Sequence, residues 1–175
     1  PLGKDLKAAL ERGEFATDEM IIEMVKQRID EADCRHGFIL DGFPRTLPQA
    51  EVLEQMMAEK GIKLNCVLEI QVPDEIIMER ILGRYSCMHC GAGYHDKFQK
   101  PKVYGVCDAC GGTEFSRRQD DNRTTVQNRL VNYRLLTYPT IPFFEKHGLL
   151  KTVDGTGTIE AVSSKINEIL DIKLR

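Results

Sequence analysis

Two pairs of cysteines stand at the spacing of a metal-binding ribbon. Cys87 and Cys90 form one C-x-x-C pair, and after sixteen intervening residues Cys107 and Cys110 form a second. In a zinc ribbon each pair lies on a tight turn, and the two turns together present four thiolates to one tetrahedral ion. Four protein ligands leave no position for a reactive water, so the spacing predicts a structural Zn²⁺. Unmetallated thiols or two disulfides are the alternative interpretation.

The residues around the cysteines agree with such a ribbon. Gly91 and Gly111 directly follow the second cysteine of each pair, where the turn needs a backbone without a side chain. His89 and His95 lie nearby, but four cysteines already complete the coordination. We therefore expect both histidines at the surface.

A second group of polar residues follows a short apolar run at residues 37–40. Asp41, Gly42 and Arg45 place a carboxylate, a flexible backbone and a guanidinium just beyond the end of a predicted buried strand. Proteins with α/β folds bind ligands at the carboxyl ends of their strands, so this position favours a binding site. A structural ion pair between Asp41 and Arg45 is the alternative.

The pattern of apolar residues predicts the elements that must position these groups. Apolar residues recur at helical spacing over 6–10, 19–29, 48–60, 74–84 and 159–170, and again from about Asp121 to beyond Leu136, where Pro139 and Pro142 interrupt the pattern. Thr17 or Asp18 is the predicted N-cap of the second helix. The runs at 37–40, 65–72 and 149–153 predict buried strands.

This order of elements indicates an α/β fold with an insertion. Strands at 37–40 and 65–72 are each followed by a helix, which is the alternation of a parallel sheet with right-handed crossovers. Between residues 85 and 117 the periodicity is lost and glycines and cysteines concentrate. That segment is predicted to be a small subdomain stabilised by its bound metal ion.

Composition limits the class of protein. The chain has 175 residues, 42% of them hydrophobic and 29% charged, which is enough for one globular body. A formal net charge of −3 argues against a nucleic-acid partner, although Lys97, Lys100 and Lys102 near the ribbon leave that alternative open. No run approaches the roughly 20 apolar residues of a membrane span, and no signal-peptide pattern is present, so we expect a cytoplasmic protein.

The motif D-G-F-P-R-T at residues 41–46, followed by Gln49, resembles the signature of adenylate kinases. Other segments agree with that family in the same order along the chain: Leu2-Gly3-Lys4, residues 14–19, Arg80-Ile81-Leu82-Gly83-Arg84, Tyr94-His95, the cysteine ribbon, residues 118–121, Arg129-Leu130 and residues 153–156. The resemblance covers essentially the whole chain. It implies a parallel sheet of the P-loop nucleoside-monophosphate-kinase type, with flanking helices and an inserted zinc-ribbon lid. The implied domains are an AMP-binding helical part (1–30), a core (31–84 and 118–175) and the lid (85–117).

The resemblance also implies how AMP is bound. Arg45 would contact the AMP phosphate, and Asp41 would hold water on the Mg²⁺ that accompanies ATP. The AMP base and sugar would be met by Glu14, Ala16, Gly42 and Gln49. A turn there must aim Arg45 into the cleft, and the resemblance implies a cis Phe43–Pro44 bond.

On the donor side the resemblance assigns Arg80 and Arg84 to the ATP phosphates. Arg118 and Arg129 would contact the transferred phosphoryl group, and the backbone around Gly157 the ATP adenine. Two polyanions must be brought together in this reaction, and arginines suit that task. Arg80 and Arg84 are four residues apart, on one helix face, where they are able to converge on one ligand. The alternative is that both arginines are solvent-exposed and pair with Glu75 and Glu79 on the helix surface.

The implied activity is reversible phosphoryl transfer, ATP + AMP = 2 ADP, with ATP, AMP and ADP as partners and a role in nucleotide biosynthesis. A guanylate or uridylate specificity agrees less well with Gln49 and the long lid. A zinc-ribbon module without catalysis, binding a nucleotide or acting as a scaffold, is the alternative function.

One part of the family pattern is not found. Adenylate kinases carry an early strand, a glycine-rich phosphate loop with a lysine, and a helix whose N-terminus faces the phosphates. No G-x-x-x-x-G-K-[ST] motif occurs in the 175 residues. We therefore expect an N-terminally truncated chain that is inactive or nearly so. The family is monomeric, and a chain without its first strand would tend to self-associate.

Overall fold

The structure is a computed structural model that describes the backbone of residues 17–174 and the side chains of residues 17–170. The predicted helix at 6–10 lies outside the described residues. In chain order the elements are α1 (Asp18–Ile29), a 3-10 turn (Ala32–His36), α2 (Leu47–Glu59), β1 (Val67–Gln71), α3 (Asp74–Leu82), β2 (Arg84–Cys87), β3 (Gly93–His95), β4 (Phe115–Ser116), α4 (Arg123–Asn132), a π-helical turn (Tyr133–Thr137), α5 (Thr140–Lys146), β5 (Leu150–Asp154) and α6 (Ile159–Leu174).

The chain divides into two compact units. The first contains residues up to 67 together with 133–150, and the second contains 68–132 and 151–175. In the first unit, helices α1 and α2 pack against each other around a core of buried residues: Ile29, Leu53, Met56 and Met57. Helical spacing of the apolar residues predicts this arrangement, because it places them on one face of each helix.

Strands β1 and β5 run parallel. The Val67 amide donates to the carbonyl of Leu149, just before β5, at 2.9 Å, and the Gly155 amide, just after β5, donates to the carbonyl of Gln71 at 2.8 Å. Together with the helices that follow each strand, this confirms the predicted α/β class. No helix among the described residues has the length and apolar character needed to cross a membrane.

The predicted strand at residues 37–40 is wrong. All four residues are described, and they form no strand. Phe38 and Leu40 pack against the core of the first unit, whereas Ile39 is 89% exposed. The run of apolar residues predicts a buried strand, which the exposure of Ile39 contradicts, and a strand also needs hydrogen bonds to a neighbour. No described residue supplies them.

The helix predicted from about Asp121 to beyond Leu136 is shorter than expected. Helix α4 ends at Asn132, and a π-helical turn follows it before Pro139. Thr17 is the N-cap of α1, since its hydroxyl accepts a bond from the Met20 amide at 3.4 Å. The other predicted helices and strands among the described residues lie within a few residues of their predicted bounds, whereas α5 and strands β2, β3 and β4 were not predicted.

Residues 84–116 of the second unit form an antiparallel sheet with the strand order β3-β2-β4. Tyr85 pairs with Tyr94 across β2 and β3, and Cys87 pairs with Phe115 across β2 and β4. The three aromatic rings pack with centroids 5.5–5.8 Å apart. Such a small core needs a further constraint to be stable, and the cysteines lie directly beside it.

Candidate functional site

Arg45 lies in a turn that holds it through its backbone and its side chain. Its amide donates to Gln49 Oε1 at 2.7 Å, its carbonyl accepts from the Thr137 hydroxyl at 2.9 Å, and its Nε donates to the carbonyl of Gly42 at 2.8 Å. The Phe43–Pro44 bond that precedes it is cis, as expected. No carboxylate among the described residues pairs with the Arg45 guanidinium, whose terminal nitrogens therefore remain available to an anion.

Gly42 is required by this turn for two reasons. Its φ is +78°, a conformation that other residues seldom adopt, and a β-carbon there would stand 2.8 Å from Arg45 Nη2. Asp41 precedes it with an exposed side chain. Within residues 17–170 no ion pair joins Asp41 to Arg45, so the structural alternative for these two residues is not formed.

Gln49 is 5% exposed, and its side-chain amide is hydrogen-bonded at both ends. Oε1 accepts from the Arg45 amide, and Nε2 donates to Asp18 Oδ1 at 2.7 Å. Sequence reasoning missed Asp18 as part of this site, because its only visible signal was a position at the start of a helix. Glu14 and Ala16, also predicted here, lie outside the described residues.

In the second unit, Arg84 forms a two-pronged ion pair with Asp121. Nε and Nη2 donate to the two carboxylate oxygens at 2.7 and 2.8 Å. The Asp121 side chain is only 2% exposed, and the Arg84 guanidinium holds the pKa of that carboxyl below its ordinary value. Arg84 therefore pairs with Asp121 and not with Glu75 or Glu79, contrary to the alternative of pairing on the helix surface.

Two further predicted arginines belong to the same cluster. Arg129 pairs with Asp120, and the positive charges of Arg118 and Arg129 add to that of Arg84 in lowering the pKa of Asp121. Three predicted arginines thus surround one pair of aspartates. The sequence predicted only that a helix begins at about Asp121, and the role of the two carboxylates as counter-ions was not predicted.

Arg80 is held by the loop that follows β5. Its Nη1 donates to the carbonyl of Gly155 at 2.7 Å, and its Nη2 lies 3.3 and 3.4 Å from the carbonyls of Thr156 and Gly157. The structure thereby places two predicted site residues, Arg80 and Gly157, in contact. Gly155 itself has no room for a side chain, since a β-carbon would lie 2.5 Å from Ile70 Cγ2.

The four cysteine sulphurs of the ribbon all lie within 4.8 Å of one another. Two of the separations are 3.6 Å (Cys87 to Cys110) and 3.5 Å (Cys90 to Cys107). A disulfide needs about 2.05 Å, whereas four thiolates about 2.3 Å from a central Zn²⁺ stand somewhat under 4 Å apart. All four cysteines are free thiols, so the geometry fits a tetrahedral metal and not two disulfides.

The two cysteine turns have the same backbone geometry. The amides of Gly91 and Gly111 donate to the carbonyls of Cys87 and Cys107 at 2.9 and 2.8 Å, and both glycines have φ near +75°. The Tyr94 hydroxyl donates to Cys107 Sγ at 3.3 Å and lowers the pKa of that thiol to about 6. A thiolate is the form that binds metal.

His95 is not at the surface, contrary to expectation, whereas His89 is exposed. His95 is 7% exposed, its Nδ1 accepts from the Lys97 amide at 2.9 Å, and its Nε2 faces the carbonyl of Glu79 at 3.1 Å. The ring hydrogen therefore lies on Nε2. Nothing in the local sequence signals this burial, since Glu79, whose carbonyl faces Nε2, lies 16 positions away along the chain.

Comparison with known proteins gives a consistent result. The sequence profile of the adenylate kinase family matches residues 1–149. The chain is 54% identical over 170 residues to an adenylate kinase of Paramagnetospirillum magneticum, covering 97% of the chain and 78% of the relative. It is 51% identical to the adenylate kinases of Allorhizobium ampelinum and Carboxydothermus hydrogenoformans, again over 97% of the chain and 78% and 79% of those proteins.

Proposed function

Since this chain belongs to the adenylate kinase family of nucleoside monophosphate kinases, we propose that it catalyses the reversible transfer of a phosphoryl group from ATP to AMP, giving two ADP. The observation that carries the proposal is the state of Arg45. Its backbone and Nε are held by Gln49, Thr137 and Gly42, while its terminal nitrogens have no carboxylate partner among the described residues. A guanidinium that is held in place but has free terminal nitrogens is able to bind a phosphate monoester through two hydrogen bonds.

In this proposal the first unit takes AMP. Arg45 binds the AMP phosphate, and the base and sugar are met by Gln49 and Gly42, and by Glu14 and Ala16 outside the described residues. Asp41 holds water on the Mg²⁺ that arrives with ATP. The exposed carboxylate of Asp41 supports that role, because Mg²⁺ keeps much of its water and is commonly bound through one or two carboxylates.

The second unit binds ATP, the phosphoryl donor. Arg80 and Arg84 contact the ATP phosphates, Arg118 and Arg129 contact the transferred phosphoryl group, and the backbone at Gly157 lies against the adenine. The pairing of Arg84 and Arg129 with Asp121 and Asp120 supports this proposal. These carboxylates hold arginines in place before a nucleotide provides its own negative charge.

The cysteine ribbon binds structural Zn²⁺ in this proposal. Cys87, Cys90, Cys107 and Cys110 are its ligands, and the ion fixes the shape of a lid formed by residues 85–117 without taking part in chemistry. The AMP-binding helical part is assigned to residues 1–30, of which 1–16 lie outside the described residues, and the core is assigned to residues 31–84 and 118–175. A cytoplasmic location and a monomeric state remain predictions.

Arg45→Ala tests the proposal through binding, which does not depend on turnover. We expect calorimetry to show AMP affinity about 10- to 100-fold lower, because a charged hydrogen-bond pair to phosphate is lost. Arg35→Ala is the matched control, since Arg35 is an exposed arginine of the same unit outside the proposed site. Equal AMP affinity of the unaltered chain and Arg45→Ala would favour the alternative of a zinc-ribbon module without catalysis.

A further inference from the structure

We propose that Asp18 is a positioning residue that sets the purine preference of the AMP site, by holding the side-chain amide of Gln49 in one orientation. The inference rests on the proposed function, in which Gln49 meets the base of the nucleoside monophosphate. It goes beyond that function by naming which group selects the base and how.

The amide of Gln49 lies between two groups of opposite kind. The backbone N–H of Arg45 is only able to donate, and it points to Oε1 at 2.7 Å. The carboxylate of Asp18 is only able to accept, and it faces Nε2 at 2.7 Å. A flipped amide would set N–H against N–H and oxygen against carboxylate oxygen. With Gln49 5% exposed, water does not replace the lost bonds, so the observed orientation is strongly preferred.

Asp18 is itself held in place. It is the first residue of α1, and its second oxygen, Oδ2, accepts from the Thr46 hydroxyl at 2.9 Å. The same hydroxyl caps α2 by accepting from the backbone N–H of Gln49 at 3.3 Å. The carboxylate therefore joins the starts of two helices and presents one fixed acceptor to the Gln49 side chain.

A fixed amide distinguishes purines by the group at position 6. Each end of the amide keeps one unused valence, an N–H on Nε2 and a lone pair on Oε1. Adenine offers an amino donor beside a ring-nitrogen acceptor, which complements that pair. A 6-oxo purine offers an acceptor where adenine has its donor, so it meets the Oε1 lone pair unfavourably. When the Asp18 carboxylate is removed, one of the two restraints on the amide is lost and the 6-oxo base is tolerated better.

The test compares AMP with inosine monophosphate, which carries a 6-oxo group but no 2-amino group. Dissociation constants of both are measured by calorimetry on the full chain and on its Asp18→Ala and Asp18→Asn variants. We expect Asp18→Ala to lower the preference for AMP about tenfold. Asp18→Asn keeps an oxygen that accepts from Nε2, so it should keep most of the preference although its charge is gone.

Asp30→Ala is the matched control. Asp30 caps the other end of α1, and its carboxylate pairs with Lys60 at the end of α2, so it also links the two helices but does not touch Gln49. Its loss should leave the ratio of the two dissociation constants unchanged. An unchanged ratio in Asp18→Ala, or an equal change in Asp30→Ala, would overturn the inference. Failure of the unaltered chain to bind AMP at all would instead count against the proposed function, and the inference would fall with it.

A spectroscopic measurement separates positioning from a loss of stability. In a ¹⁵N-edited spectrum we expect the two Nε2 protons of Gln49 to be well separated, because one donates to a carboxylate. Asp18→Ala should bring them closer, and Asp30→Ala should not. Retained separation in Asp18→Ala would show that the carboxylate does not hold the amide.

Discussion

The ring of His95 lies against the backbone of Gly83 so closely that a β-carbon at Gly83 would stand 2.3 Å from His95 Nε2. Gly83 ends helix α3, which carries Arg80. The Asp96 amide also donates to the Gly83 carbonyl at 3.0 Å. The end of β3, in the sheet that carries the cysteines, thus packs directly against the end of that helix.

We predict that Gly83→Ala destabilises the second unit by about 1–3 kcal/mol, because the His95 ring is hydrogen-bonded at both nitrogens and does not yield easily. Urea denaturation followed by tyrosine fluorescence measures the change. Gly93→Ala is the control, since a β-carbon at Gly93 would have no neighbour within 4 Å. Equal stability of the two variants would show that this contact is of no consequence.

Zinc should be bound at one ion per chain through the four ribbon cysteines. Cys107→Ser is expected to lower the zinc content severalfold and to reduce the melting temperature, since a small subdomain depends on its metal for folding. Cys66→Ser serves as control because Cys66 lies outside the ribbon. Elemental analysis and thermal melts with and without a chelator provide the measurement. A chelator that leaves the melting temperature unchanged would argue against a structural metal.

The stability of the second unit should depend on pH through Asp121. Hydrogen bonds from Arg84 lower the pKa of this carboxyl from an ordinary value of 3.8. A group of this kind stabilises the folded state above its unfolded pKa, and that stability is lost as the pH falls through the folded pKa. We expect Asp121→Asn to be less stable at neutral pH and to lose less stability below about pH 4. The two curves should converge in acid.

Asp120→Asn is the matched control for that experiment. Its side chain is 47% exposed and pairs with Arg129, so water screens the interaction and the loss should be smaller. Denaturant unfolding from pH 7 to pH 3 checks both variants. Parallel stability curves for the unaltered chain and Asp121→Asn would contradict the prediction.

Arg80 should hold the loop that follows β5. We predict that Arg80→Lys speeds amide hydrogen exchange at residues 155–158 about fivefold, because a lysine ammonium does not reproduce a planar guanidinium that spans three carbonyls. Mass spectrometry of peptides from this loop gives the rates. Arg123→Lys, an exposed change at the start of α4, should leave them unaltered. If both variants exchanged alike, the loop would not depend on Arg80.

Residue types and spacing identified much of this protein. The C-x-x-C pairs indicated four sulphurs around one point, because turn geometry is local and repeats with the motif. The spacing of apolar residues likewise predicted α1, α2, α3 and α6, and strands β1 and β5. Resemblance in the D-G-F-P-R-T segment indicated the family that the comparisons then established.

Tertiary structure decided which distant groups meet. Residues 37–40 have the composition of a strand but no described hydrogen-bonding neighbour, and Asp18, Asp121 and His95 each have a hydrogen-bond partner that lies 16 to 37 positions away. Burial and pairing of polar groups depend on the whole packing of the chain, whereas periodicity and turn chemistry depend on a few consecutive residues. Sequence therefore determined those helices and strands, the family and the metal-binding motif, and only the folded chain determined the counter-ions and positioning residues that hold the site together.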